Sequence, residues 1–416
     1  MRYLVVVLFS INFFVSSLFG IDARLKIEKD VEHRGRIALV DCSSNQNSKI
    51  FKILLGDLKI SGHFLPNANH YSGDFANGSI NPTLRSQDYV LKYMLSSGSS
   101  TKLSIRLFQA STNREILKKD YNVPNSKKMP FLAHKAVSDI NRVLKYPDIS
   151  WINRYVVYAV YTGSKRSEIR LADYTFTYTK TIVRGGLNLF PKWADSKQSS
   201  IYYTSYRELR PTLYRLNIYN GSKRKVASSD GMIVCSDVSS SGSKILVTMA
   251  PDGQPDIYEM SSSGGSKRRV TTFSGIDVSA RYVDNERAVV FVSNRMGKAN
   301  IFRKSISGSG ASKIARGSNN TSCDAYGNRV IYSSRESSSS FGGNRFNIYL
   351  TTSSGSGSRK LTTTGANQFP RFSSNGSVVL FLKQTSNRTS IGYTNLNSRQ
   401  SLLFPFNGRK IQSIDW

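Results

Sequence analysis

Histidine is scarce in this 416-residue chain: there are four, His33, His63, His70 and His134, and none beyond residue 134. A Ser-His-Asp constellation or a histidine-based metal site therefore cannot be assembled from the last two thirds of the sequence. Cysteine is nearly as rare. Cys42, Cys235 and Cys323 are an odd set that allows one bridge at most, which excludes a disulfide framework, and no bridge is expected. After the first twenty residues no window holds 18 consecutive apolar residues, so nothing there reads as a membrane span. Gly and Pro, 30 and 11 residues, are ordinary and exclude a collagen-like or wholly disordered chain. Carboxylates are in short supply: Asp+Glu total 27 against 58 Lys+Arg, a net charge of +31.

The first residues read Met-Arg, then an apolar stretch from Tyr3 to Val15 broken only by Ser10 and Asn12, then small residues Ser16, Ser17 and Gly20. One positive charge, a short apolar core and a small-residue exit describe a secretory signal peptide over residues 1–20, with cleavage expected near Gly20. The rival is an uncleaved anchor, but the apolar core is shorter than the roughly 20 residues a spanning helix needs. A flexible tail over 21–35 would follow, in a mature protein with no membrane span whose natural home, in a cell with two membranes, is the periplasm.

Residues 36–147 mix two periods. Ile37–Val40 suits a buried strand, and Ile50, Ile53, Leu54 and Leu58 share one helical face closed by Ser61-Gly62. Val90–Leu95 reads as a strand, Leu103, Ile105 and Leu107 alternate, and Glu115–Val123 returns across Ser111-Thr112-Asn113. Pro130 starts a second helix with Ala133, Val137, Ile140 and Leu144 on one face. An α/β domain, a small mixed sheet with two helices, is expected, ending at Pro147.

From Trp151 the helical period vanishes and a repeat takes over. Short apolar strands begin at Val156, Ile201, Ile245, Val289, Val330 and Val379, spaced 45, 44, 44, 41 and 49 residues apart. A second column holds Ile169, Leu213, Ile257, Ile301, Ile348 and Ile391. A third, upstream, is read as Trp193, Val238, Tyr282, Cys323 and Phe372, and a fourth as Val226, Val270, Ile314, Leu361 and Leu403. Four short strands per unit of about 44 residues predict a six-bladed β-propeller over 148–416. The first unit lacks its upstream strand. Ile414-x-Trp416 stands at the register of Pro191-x-Trp193 and Pro370-x-Phe372, so the last strand is expected to complete that unit and close the ring.

Asn188-Leu189-Phe190-Pro191-Lys192-Trp193, Asn367-Gln368-Phe369-Pro370-Arg371-Phe372-Ser373-Ser374-Asn375-Gly376 and Ser293-Asn294-Arg295-Met296-Gly297 resemble the blade repeat of the TolB family, the periplasmic propeller proteins of the Tol-Pal system. Asp57-Leu58-Lys59-Ile60-Ser61-Gly62-His63-Phe64, Ala133-His134-Lys135, and Asn153-Arg154-Tyr155-Val156-Val157-Tyr158 resemble that family's first domain and its junction. The resemblance spans about residues 36 to 416; the degenerate Pro-Asp-Gly turns of units three to five and the heavy positive charge depart from it. It implies a non-catalytic hub without cofactor or metal, linking a TolA-like inner-membrane protein to a Pal-like peptidoglycan-associated lipoprotein, with other outer-membrane proteins as further partners. Envelope integrity and constriction at division would be its role, and it would act as a monomer; the alternative is a periplasmic propeller that binds another envelope protein or an anionic glycan.

Chemistry competes poorly with binding. The sequence holds no Gly-x-Ser-x-Gly nucleophile elbow, and Gly308-Ser309-Gly310 and Ser353–Ser358 lie between strands rather than before the helix a phosphate cradle needs. Nucleic acid is not an expected partner of an exported protein, whatever the charge. The basic runs Lys127-Lys128, Lys223-Arg224-Lys225, Lys267-Arg268-Arg269 and Arg359-Lys360, the last three expected to precede the outermost strand of their units, are read in two ways. They are solvated edges that block strand-to-strand aggregation, or they attract anionic partners or envelope surfaces. Two sets of residues carry the partner expectation. By resemblance, the tail beginning Ile21, Asp22, Ala23, Arg24 and Leu25 meets the TolA-like protein. The loops before each upstream strand, with Asn188, Asp230, Asp277, Asn319, Asn320 and Asn367, form the Pal face. Asn and Asp at such positions also fold turns through their own side chains, and that plainer role stands beside the first.

Overall fold

The computed structural model describes residues 34–45, 47–317, 319–336, 345–385 and 389–416. The expected signal peptide and the tail residues Ile21 to Leu25 lie outside the described residues.

The first domain is a mixed sheet under two helices. Strands β1 (Gly35–Asp41), β2 (Phe64–Pro66), β3 (Tyr71–Ser72), β4 (Tyr89–Ser97), β5 (Thr101–Gln109) and β6 (Arg114–Val123) are ordered β2-β1-β4-β5-β6, with β3 also on β1. β1 pairs in parallel with β2, β3 and β4, and the β4-β5-β6 meander is antiparallel. Helix α1 (Ser48–Ser61) begins where the Asn47 side chain accepts from the amides of Lys49 and Ile50. It ends at Gly62, whose φ of 80° is the left-handed cap expected of that glycine. Helix α2 (Pro130–Val143) opens on Pro130, and its inner face, with Ala133, Val137 and Ile140 fully buried, packs on the sheet beside Leu54 and Leu58.

Among the described residues, the remainder forms six antiparallel units of four strands. The second, for example, runs Asn188–Trp193, Ser200–Ser205, Thr212–Asn217 and Lys223–Ser228, each strand pairing with the next. Units five and six are joined into one sheet by the pair Phe346 and Ala366. The first unit takes Ile411–Asp415 from the C-terminus, antiparallel to Val156–Gly163, with Asp415 opposite Val157.

Period-two alternation puts a core between every pair of consecutive units. Ile201 and Tyr203 of unit two pack with Val157 and Ile169 of unit one, whereas Tyr202 packs with Ile245 and Val247 of unit three. Leu246 meets Val289 and Phe291, Val290 meets Val330 and Tyr332, and Ile331 meets Val379 and Phe381. Leu380 and Tyr393 of unit six share a core with Val156, Tyr158 and Trp416 of unit one, and that core also contains α1 and α2.

Two sequence readings need correction. The upstream column of unit five is Ala325, not Cys323: Ala325 lies opposite Val330, just as Trp193 lies opposite Ile201. The miscount comes from the turn after the upstream strand: Ala325 stands only five positions before its partner Val330, whereas Val238, Tyr282 and Phe372 stand seven before theirs. The basic runs Lys223-Arg224-Lys225, Arg268-Arg269 and Arg359-Lys360 do not precede the outer strands; they form them.

Candidate interaction site: the charged residues of the upstream strands and the two strand ends

The residue just before each upstream-column position is charged in all six units. In chain order these are Lys192, Asp237, Arg281, Asp324, Arg371 and Asp415, bases and acids in strict alternation. Lys192 Nζ lies 3.1 Å from Asp415 Oδ1 and 3.6 Å from Asp237 Oδ1. Arg281 reaches Asp237 Oδ1 at 3.8 Å and Asp324 Oδ1 at 2.8 Å, and Arg371 Nε lies 3.5 Å from Asp415 Oδ1. The acids do a second job. Their Oδ2 atoms accept from the backbone amide one residue past the next unit's base: Trp193 to Asp415 at 2.9 Å, Tyr282 to Asp237 at 2.9 Å, Phe372 to Asp324 at 2.8 Å.

The backbone shows the same alternation. Units two, four and six make a two-residue bulge, with Phe190, Ser279 and Phe369 at φ of 55°, 58° and 54°, and they carry the bases. Units one, three and five make a one-residue bulge and carry the acids. Burial works to raise the Asp415 carboxyl, but Lys192, Arg371, Arg281 and the Trp193 amide outweigh it and hold it below its ordinary value. Burial and the nearby Arg281 lower the Arg371 guanidinium. For Arg281 burial is opposed and outweighed by Asp324 and Asp237, which raise it. Cys235 and Cys323, beside this ring, are buried thiols; burial pushes Cys323 up to about 12 and Cys235 higher, so neither supplies a thiolate.

A cavity of about 600 Å³ opens at the end where the upstream strands finish, lined by Lys192, Trp193, Asp237, Tyr282, Glu286 and Trp416 among others. A hollow of about 120 Å³, lined by Phe190, Cys235, Cys323 and Phe369, lies on the other side of the charges. The first domain sits at the finishing end, over units one and six: Asn375 Nδ2 donates to Asp148 O at 3.0 Å, and Trp151 packs edge-on to Trp416. There His134 is fully buried between two carboxylates, Nδ1 at 2.7 Å from Asp57 Oδ2 and Nε2 at 3.3 Å from Asp173 Oδ2, while Tyr174 donates to Asp57. Burial opposes the charged imidazole, but Asp57 and Asp173 outweigh it and raise His134 to about 9.

The six expected face residues all lie at the opposite end, where the upstream strands start, but in two settings. Asn188, Asp277, Asn320 and Asn367 are buried. Asn188 Nδ2 donates to Gly185 O at 2.7 Å, Asp277 accepts from Arg295 through both oxygens, and Asn320 Nδ2 donates to Asn300 Oδ1 at 2.7 Å. Asn367 Nδ2 meets Thr364 O at 2.9 Å and Phe346 O at 3.0 Å. Asp230 is exposed and pairs with Arg210 at 2.7 Å, and Asn319 takes a φ of 64°. The buried four fold the turns that carry the exposed loops. Sequence reasoning missed the alternating ring. The signal was present one residue before the upstream column, once Ala325 is placed correctly.

The family model described as the TolB beta propeller domain matches residues 150–416. The Tol-Pal system protein TolB of Wolinella succinogenes is 39% identical over 412 residues, 97% of this chain and 98% of the relative. The chain belongs to the TolB family. The Tol-Pal system protein TolB of Helicobacter hepaticus is 36% identical over 415 residues, covering 96% of this chain and 97% of the relative, so likeness to TolB includes the first domain. The crystal structure of TolB from Acinetobacter baumannii shares the fold, with a TM-score of 0.75 and 24% identity over 95% of this chain and 99% of that one. Among the described residues, TolB-family architecture here leaves no group of three or more His, Cys, Asp or Glu that could hold a metal ion.

Proposed function

We propose that this chain is a non-catalytic periplasmic hub of the Tol-Pal system. Residues 1–20 act as a cleaved signal peptide, 21–35 as a partner-binding tail, 36–147 as the α/β domain, and 148–416 as a six-bladed propeller closed by the C-terminal strand. The tail, from Ile21 to Leu25 and onward, binds a TolA-like inner-membrane protein. The loops carried on Asn188, Asp230, Asp277, Asn319, Asn320 and Asn367 receive a Pal-like lipoprotein, and the link supports outer-membrane integrity and constriction at division.

One observation carries this reading: relatives named Tol-Pal system protein TolB match nearly the full length, first domain included. Ring closure is supported by the core shared between units six and one and by the amide of Trp193 bound to Asp415. The end that bears the face residues is opposite the first domain, which leaves it open to a second partner. The test is purification of the untagged mature protein from its own envelope after crosslinking. TolA-like and Pal-like partners are expected in the adducts; recovery of neither overturns the reading.

A further inference from the structure

The net charge of +31 and the loops at the strand-start end of the ring are not accounted for by turn-forming asparagines. Leu209, Ile276 and Met296 are three large apolar side chains exposed there, Leu209 completely and Met296 by 68%. Leu209 stands on unit two, whereas Ile276 leads into unit four and Met296 lies on that unit; hydrogen bonds through the loops of unit three stitch the two places together. Ser229 N donates to Pro211 O, Ala250 N to Met232 O, Gln254 donates to Phe273 O and Gly275 O, and Ile276 N donates to Asn294 Oδ1. A contiguous arc of rim thus presents three apolar knobs on a hydrogen-bonded base.

The neighbouring arc is cationic. Arg409, Lys410, Lys165, Arg166, Arg184 and Arg207 are all exposed. Tyr161 N donates to Lys410 O, Ser167 N to Gly186 O, and the space a Gly186 side chain would take is filled by Arg207. Two acids lie beside them: Glu168 pairs with Arg170 at 2.7 Å and stands 3.7 Å from Arg184, and Glu208, next to Arg207, faces Lys225 at 3.7 Å. Exposed apolar groups beside an excess of positive charge are costly to solvation and of no use to the fold, but they suit an interface with an apolar centre and steering charges at its edge.

We infer that the strand-start end is a bipartite docking face: Leu209, Ile276 and Met296 seat in an apolar hollow of an acidic protein whose carboxylates meet the crescent from Arg409 to Arg207. This rests on the reading that a partner docks at this end, and it names that partner's chemistry. The knobs set how long the complex lasts and the crescent sets how fast it forms.

The test places a photo-crosslinking amino acid at Leu209, at Met296 and, on the opposite end, at Tyr219, in the full-length protein in living cells. Each is repeated with Lys165→Glu plus Arg184→Glu, or with Lys223→Glu on the outer edge as control. Thermal unfolding of every variant is checked against the parent. Adducts of an acidic protein at Leu209 and Met296, reduced about tenfold by the crescent reversals and unchanged by Lys223→Glu, support the inference. If that protein is the Pal-like lipoprotein, the proposed function stands too. If it is another acidic protein, the docking face stands and the Pal assignment falls. Adducts at Tyr219 alone, none at Leu209 and Met296, or adducts indifferent to the crescent overturn it.

Discussion

Trp193 donates its backbone amide to Asp415 Oδ2 at 2.9 Å across 222 residues of chain. Unit two is thereby tied to the last strand of the molecule, and Lys192 beside it is paired to the same carboxylate. Breaking a buried pair by neutralising one partner leaves the other charge uncompensated, at a cost of about 3–5 kcal/mol. Asp415→Asn removes the carboxylate that Lys192 and Arg371 share. Its urea midpoint should fall far more than that of Arg210→Ala, whose pair with Asp230 is exposed and worth under about 1 kcal/mol. Equal midpoints for the two variants would count against the axial ring as a lock.

The clamp at the domain junction gives a pH dependence of definite sign. His134 is raised from 6.5 to about 9, so its charged form is favoured in the folded state. That contribution, on the order of 3 kcal/mol, is fully present below pH 6.5 and is lost as pH rises to about 9. The thermal midpoint of the parent should decline across that window relative to His134→Gln, which has no such group. Parallel curves for the two proteins from pH 6 to 9 would show that Asp57 and Asp173 do not hold an imidazolium.

Much of this was legible in the sequence, for a physical reason. Val156, Ile201, Ile245 and their equivalents must be buried on both faces, so each repeat announces itself as an apolar run between polar turns. Helix α1 was legible from Ile50, Leu54 and Leu58 and from Gly62. Strands β2 and β3 were not, because three and two residues carry no period. The charge ring was hidden by the short turn after Ala325, which makes a fixed seven-residue count back from Val330 land on Cys323 instead. The face residues lie where the upstream strands start, as their spacing implied, but burial of Asn188, Asp277, Asn320 and Asn367 depends on neighbours such as Asn300 and Arg295 that no local pattern reveals.

Close approach between units makes one glycine irreplaceable. A side chain at Gly264, where φ is 105°, would stand 2.1 Å from the carbonyl oxygen of Val226 in the adjacent unit. Gly253, at φ 81°, has open space around it. Gly264→Ala is expected to lower stability by at least about 2 kcal/mol and Gly253→Ala by about 1 kcal/mol, measured by chemical denaturation. The reverse order would mean that units two and three do not approach as described.

The buried asparagines should act on binding through the turns they hold. Asn320→Ala and Asn367→Ala leave carbonyl acceptors unmet, costing roughly 1–3 kcal/mol of stability, and should weaken Pal-like partner binding at any salt concentration. Lys267→Ala and Arg268→Ala, on the outer edge, should act only at low salt. Calorimetric titrations at two ionic strengths compare them, and damage confined to the edge variants would move the docking site off the strand-start end.

The central claim is that one chain holds two partners at separate places, and a single co-purification experiment addresses it. The mature protein, with and without residues 21–33, is mixed with soluble domains of the TolA-like and Pal-like proteins of the same cell, and complexes are resolved by size. The account predicts that the deletion abolishes TolA-like binding, leaves Pal-like binding within about twofold, and leaves the unfolding profile nearly unchanged. Undiminished TolA-like binding after the deletion, or loss of both partners together, would contradict it.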